Sequence, residues 1–197
     1  MEDLRSVLAG PVLEVAPRLL GATLSHAGIS LRVTEVEAYD GANDPGSHAY
    51  RGPTRRNEVM FGPPGFLYVY FIYGMHHCAN VVCGPQGRAS AVLLRAGEVA
   101  GTDPGTARGP AKLCRVLGID LALTGADLLA GPVRLALGDP LPPGDISVGP
   151  RVGLREAAEN PWRFWITGEQ TVSRYVPAKP RPSPKRARRY PNGSSTP

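Results

Sequence analysis

A chain of 197 residues, 42% of them hydrophobic, suffices for one domain with a real core, and Gly, Arg or Pro breaks every apolar run before it reaches the length of a membrane span. Its start, MEDLRSVLAG, has no basic leader before an apolar block and does not read as a signal peptide; Cys78, Cys83 and Cys114 cannot all pair and form no C-x-x-C, so a reduced cytoplasmic interior is the simplest setting. The net charge of +5 is unevenly spread: residues 1–50 sum to −4, 51–115 to +5, 116–176 to −2, and the tail from Pro177 to +6 without an acid, which argues for a polyanion-facing surface on one side of the protein.

In chain order, residues 3–22 predict one or two helices, capped by Asp3 and interrupted at Gly10-Pro11, with Leu4, Val7, Leu8, Val12, Leu13, Val15, Leu19 and Leu20 turned to a core. Residues 28–39 read as a strand with Ile29, Leu31 and Val33 on one face, continued by Glu35, Glu37 and Tyr39 unless a bulge intervenes. Such an acidic strand end is either emerging into solvent or entering a polar pocket. A carboxylate beside aromatic rings would gain proton affinity through desolvation, which suits a general base.

Residues 40–64 are dense in Gly, Pro, Asn and Asp, a loop longer than compact domains usually contain. It carries His48, Tyr50, Arg51, Thr54, Arg55, Arg56 and Asn57, a set of charged forks and neutral donors suited to phosphate contact. Phe66 to Tyr73 is an unbroken apolar and aromatic run that ends at Gly74 and returns through Cys78–Cys83, a hairpin with Tyr73, Met75 and His76 around its tip. Large apolar side chains at an exposed tip are costly in water unless a partner covers them.

Beyond the hairpin, Ser90–Arg95 predicts a buried strand ending at Arg95, and 109–118 a short helix with Pro110 in its first turn, Gly118 as its C-cap, and Arg108 and Lys112 beside an anion-attracting N-terminus. Residues 133–137 and 146–148 read as strands, 154–158 as the start of a helix, and 161–166 as aromatic core. The Pro-rich, basic tail 177–197 is expected to be disordered and to add sequence-independent affinity for nucleic acid. There is no P-loop, no dinucleotide fingerprint and no metal-ligand spacing; His76-His77-Cys78 is adjacent, not spaced for a metal.

These stretches together resemble the alkyladenine (3-methyladenine) DNA glycosylase family: TEVEAYDGANDPGSHAYRG, TRRNEVMFGPPGFLYVYFIYGMHHCANVV, AVLLRAGE and GPAKLCRVLGI, with the resemblance running from APRLLG to VGPRVG and PWRFWI. The resemblance implies a monofunctional glycosylase of base excision repair. Such an enzyme flips a damaged purine (3-methyladenine, 7-methylguanine, hypoxanthine or ethenoadenine) out of duplex DNA and leaves an abasic site. By the same resemblance Glu37 is the base that activates water and Arg95 orients it; Tyr39, His48 and Tyr70 enclose the flipped base, and Asn80 stands at the pocket floor against the guanine amino group. Tyr73 is the wedge in the duplex with Met75 beside it in the minor groove, and Arg51, Thr54, Arg55, Arg56, Asn57 and Lys112 are the further DNA contacts. Arg55-Arg56, His76-His77 and the tail depart from the family pattern and bear on duplex contact or lesion preference.

A lyase would need an amine for a Schiff base, and the only lysines are Lys112, Lys179 and Lys185, none near Glu37 in sequence. The expected fold is α+β, a single domain over 1–176 with a curved antiparallel sheet, short flanking helices and a hairpin projecting to DNA. The protein is expected to be a monomer without cofactor, metal or membrane, in a bacterial cytoplasm at the nucleoid, although the basic tail could also act as a nuclear signal. Two rivals remain: a non-catalytic module for damaged or single-stranded nucleic acid, which gives Glu37 no task, and a metal-dependent nuclease, for which only Glu35, Glu37, Asp40 and Asp44 are at hand.

Overall fold

The computed structural model describes residues 3–179. Three helices, α1 (Leu4–Leu8), α2 (Val12–Arg18) and α3 (Pro110–Leu117), accompany eight strands: β1 (Thr23–His26), β2 (Ile29–Tyr39), β3 (Leu67–Ile72), β4 (His76–Cys83), β5 (Ser90–Glu98), β6 (Arg134–Ala136), β7 (Ile146–Gly149) and β8 (Arg163–Ile166). All strand pairs are antiparallel, in the order β3-β4-β5-β2-β1-β6, and β8 pairs β2 beyond β1 and carries β7. The result is the expected α+β domain, its sheet curled into a half-barrel with few short helices.

The helices start and stop where local chemistry dictates. Asp3 caps α1 by accepting from the Ser6 amide at 3.1 Å, and Gly10-Pro11 separates α1 from α2. Gly118 closes α3 in the left-handed conformation at φ 64°. Leu8, Val12, Val15, Ala16 and Leu19 bury one helical stripe against the sheet.

Strand alternation gives the sheet two differently used faces. Leu67 and Val69, Ala79 and Val81, Val92 and Leu94, and Val36 and Ala38 enter the main core. Their neighbours on the other face, Tyr68 and Tyr70, Cys78 and Asn80, Leu93 and Arg95, and Glu37 and Tyr39, all line one cavity. A second, smaller cluster of Ala49, Met60, Tyr68, Val82, Ala89 and Ala91 seats the long 40–64 loop over that face. Gly41, at φ 47°, lets the loop touch the sheet, because a Cβ there would lie 1.9 Å from Ala89 O.

Three expectations change. The face of β2 does not continue from Val33 to Glu35 and Glu37: register shifts flank Glu35, and after them Val36 and Ala38 face the core while Glu37 and Tyr39 turn to the cavity. A bulge does this by adding one residue to the period of two. The strand read as ending at Arg95 continues to Glu98, which leaves Arg95 inside the sheet at the second register shift. Residues 154–158 form no helix, only a turn over 156–159; Ala157 takes a positive φ of 50° and Pro161 follows, both hostile to helix propagation. The tail lies outside the described residues from 180 onward. Among the described residues no helix is long and apolar enough to cross a membrane.

Candidate active site

The cavity on the polar face of the sheet has a volume of about 330 Å³ and runs from Glu37, Arg95 and Asn80 to His76 and Tyr73 at the hairpin. Glu37 and its neighbour Glu35 are both fully buried. Burying carboxylates is costly unless each is paired and hydrogen-bonded, and both are. Glu37 Oε1 accepts from the Val152 amide at 2.7 Å and lies 3.3 Å from Arg95 Nη1, and Oε2 accepts from the Tyr39 hydroxyl at 2.8 Å. Three of its roughly four acceptor sites are thereby held.

Behind it, Glu35 gathers the rest of the charge. Its Oε1 accepts from Arg95 Nε at 2.9 Å, Arg163 Nε at 2.7 Å and Ser173 Oγ at 2.8 Å, while Oε2 accepts from the Ser173 amide at 2.6 Å. Arg95 therefore bridges the two carboxylates, and two guanidiniums balance two acids in a site almost closed to water. The neighbouring carboxylates raise the proton affinity of Arg95 further, against the opposing pull of burial.

A second buried pair fixes the cavity wall. Arg151, 1% exposed, donates to both oxygens of Asp44, at 2.5 and 2.8 Å, and to Ala38 O at 3.0 Å. Its guanidinium lies 4.7 Å from the Tyr39 ring centre and 5.0 Å from that of Trp162. It thus ties the 40–48 segment, β2 and the approach to β8 into one body, and the next residue supplies the Val152 amide to Glu37. Sequence reading singled out neither Arg151, Arg163, Ser173 nor Val152.

The aromatic wall comes from the hairpin and the loop. Tyr68 and Tyr70 are 5.8 Å apart, and the His48 ring stands edge-on to Tyr70 at 4.5 Å with Nδ1 3.2 Å from the Tyr68 hydroxyl. Burial of its ring against these phenols, with the Arg56 charge nearby, lowers the proton affinity of His48 below the usual imidazole value. Burial pushes the pKa values of Tyr39, Tyr70 and Cys78 up and weakens them as acids, so these side chains meet a ligand as neutral groups. Asn80, 4% exposed, donates from Nδ2 to Tyr68 O at 3.0 Å, which points its amide along the cavity floor.

At the tip, Tyr73 is 83% and Met75 68% exposed, and Phe71 adds a third exposed apolar side chain. Tyr73 and Gly74 have φ of 55° and 69°, and the Met75 amide closes the turn on Ile72 O at 3.3 Å. A non-glycine residue in the left-handed region costs energy, and here it holds a bare ring in solvent. Arg51, Thr54, Arg55 and Arg56 are exposed on the loop, and Lys112 on α3. Asn57 is not a surface contact: it is buried, accepting from the Thr54 amide at 2.6 Å and donating to His48 O and Gly52 O, so it shapes the loop that presents the arginines. Among the described residues no group of three or more His, Cys, Asp or Glu could hold a metal ion.

Residues 6–170 match the family model described as Methylpurine-DNA glycosylase. The chain belongs to this family. Proteins named as candidate 3-methyladenine DNA glycosylases are similar along nearly all of it: one of Streptomyces avermitilis is 54% identical, covering 90% of this chain and 93% of its own, and one of Frankia casuarinae 53%, covering 90% and 92%. Another, of Mycobacterium tuberculosis, is 47% identical and covers 85% and 91%. Family membership makes the chain a DNA glycosylase, a hydrolase of DNA repair that acts on DNA, and fits the buried acid and aromatic cavity on one sheet face.

Proposed function

We propose that this glycosylase extrudes a damaged purine (3-methyladenine, 7-methylguanine, hypoxanthine or ethenoadenine) from duplex DNA and hydrolyses its N-glycosidic bond with a water activated by Glu37. The observation that carries the reading is one arrangement: a fully buried carboxylate with fixed donors, set in an aromatic cavity that opens beneath a solvent-exposed Tyr73. Extrusion costs a few kcal/mol, and a ring inserted into the gap offsets part of it. Tyr39 and Tyr70 supply faces for the extruded base, His48 its edge, and Asn80 the floor that rejects an exocyclic amino group. Arg51, Thr54, Arg55, Arg56 and Lys112 take backbone phosphates, with Met75 beside the wedge.

As the bond from C1′ to the base nitrogen breaks, positive charge grows on the sugar, and the Glu37 carboxylate stabilises it. Water adds at C1′, its proton passes to Glu37, and the bonding electron pair leaves with the base. A cationic 3-methylpurine departs without further help, whereas neutral hypoxanthine needs a proton or hydrogen bond on the ring. Glu37 has no exposed surface here because the Tyr39 hydroxyl covers Oε2; movement of Tyr39 onto the incoming base opens that oxygen to the water. Neither Lys112 nor Lys179 lines the cavity, which favours water as nucleophile and an abasic product without strand cleavage. The enzyme acts as a monomer, in the bacterial cytoplasm at the nucleoid.

The test is release of hypoxanthine or 1,N6-ethenoadenine from duplex oligonucleotides in chelator, followed by alkali. Wild type should give alkali-dependent cleavage at the lesion and Glu37→Gln almost none, a loss of about 10²–10⁴-fold or more. Lesion-selective binding by both proteins without base release would leave a non-catalytic damage-binding module instead.

A further inference from the structure

The hairpin has a second flank. Next to the lesion cavity, with which it shares His76 and Ala111, another cavity of about 560 Å³ lies between β4 and α3, bordered also by Met75, His77, Lys112, Arg115 and Asp120. Arg115 is exposed and has no partner among the described residues, and Lys112 spends one of its three donors on Gly105 O at 3.0 Å. The single acid, Asp120, accepts from the Ala122 amide at 2.9 Å, so its carboxylate is partly committed to its own turn. The His77 ring is braced at 5.0 Å from Phe71, which fixes it on this flank. Two other titratable groups border the site. The buried Cys114 thiol is pushed up to about 12 by burial and stays neutral, and His26 of β1 is engaged with Leu117 O at 2.7 Å at the far end.

Lys112, Arg115 and Asp120 give the groove one net positive charge, and His76 and His77 add ring nitrogens that can reach a phosphate oxygen. We propose that this groove holds a backbone phosphate of the DNA strand opposite the lesion. The inference rests on the function proposed above. When Tyr73 stands in the duplex with the lesion nucleotide in the cavity on one flank of the hairpin, the other strand passes along the opposite flank, where these cations are.

The experiment measures binding by the Glu37→Gln protein to lesion duplexes carrying one uncharged methylphosphonate, moved along either strand. A position on the undamaged strand should weaken binding several-fold, and Arg115→Ala should weaken binding to the natural duplex by a similar factor with no further loss on that modified duplex. The slope of log affinity against log salt should shrink by about 0.9 for Arg115→Ala, as for one lost phosphate contact. Methylphosphonate effects confined to the lesion strand, or fully additive with Arg115→Ala, would overturn the groove. Base release by the wild type on the same duplexes separates the two ideas: intact release without an opposite-strand effect removes the groove alone, and absent release removes the catalytic reading.

Discussion

Glu35 and Glu37 are two residues apart and both buried, yet their partners assign them different work. Glu35 accepts from two arginines and from Ser173 and does not line the cavity, whereas Glu37 borders it and is held by Val152, Arg95 and Tyr39. Glu35→Gln leaves Arg95 and Arg163 in the interior with too little negative charge, a change that costs about 3–5 kcal/mol for a broken buried pair. Thermal unfolding should therefore show a large loss for Glu35→Gln and a smaller one for Glu37→Gln, while base release should fall most per folded molecule in Glu37→Gln. Equal stability of wild type and Glu35→Gln would contradict this division.

His48 adds a titration at the same scale. Its proton affinity is lowered on folding, so the unfolded chain binds more protons through the imidazole range and stability rises with pH there. That contribution is complete above the ordinary value near 6.5 and is lost as pH falls through the lower folded value. Denaturant unfolding between pH 5 and 8 should show this slope in wild type, and His48→Asn should flatten it; an unchanged slope would place the titration on another group.

Among elements, the hairpin and the 40–64 loop illustrate what could be read ahead of the structure. The aromatic run 66–73, the turn at Gly74 and the C-capped helix near 110–118 carry local signals, and β3, β4 and α3 form where those signals stand. The bulge around Glu35 carries no local signal, because its cause is the burial of Val36 and Ala38 on one side and of charge on the other. Arg151 was invisible for a similar reason: its partner Asp44 is 107 residues away, and Ser173 meets Glu35 across 138. Motifs could mark Glu37, Tyr39 and Arg95 as candidates but not the second layer of residues that holds them. Asn57 misled because a surface donor and a loop-shaping donor have the same side chain.

The hairpin tip yields its own test. Tyr73 sits in the left-handed region with its ring in water, so Tyr73→Gly removes strain and exposed apolar surface together. The variant should be as stable as wild type or more so, and should lose base release from duplex DNA, the pattern expected where function retains a strained residue. A variant that excises normally would show that the ring is no wedge. Asp44→Asn tests the opposite case. It leaves the Arg151 charge buried with half its partner, should cost about 3–5 kcal/mol in unfolding, and should slow base release by loosening Tyr39.

Across the whole molecule, charge and the chain's end converge on the cavity. The Gly153 amide donates to Val176 O at 2.8 Å, and Gly153 itself lines the cavity, so Val176 stands beside the cavity wall. From Pro177 onward the sequence holds six basic residues and no acid, while residues 1–176 sum to −1. The contribution of these charges to binding a polyanion is electrostatic, independent of sequence and screened by salt. A protein ending at Lys179 retains every described contact, including Val176, and lacks five of the six cations. Its affinity for undamaged duplex should fall, and the salt slope should shrink by about 0.9 for each phosphate no longer neutralised, up to five. Single-turnover base release at saturating enzyme should be unchanged, because Glu37 and the cavity walls are intact. An unaltered salt slope would confine the DNA-binding charge to the loop, α3 and the hairpin groove.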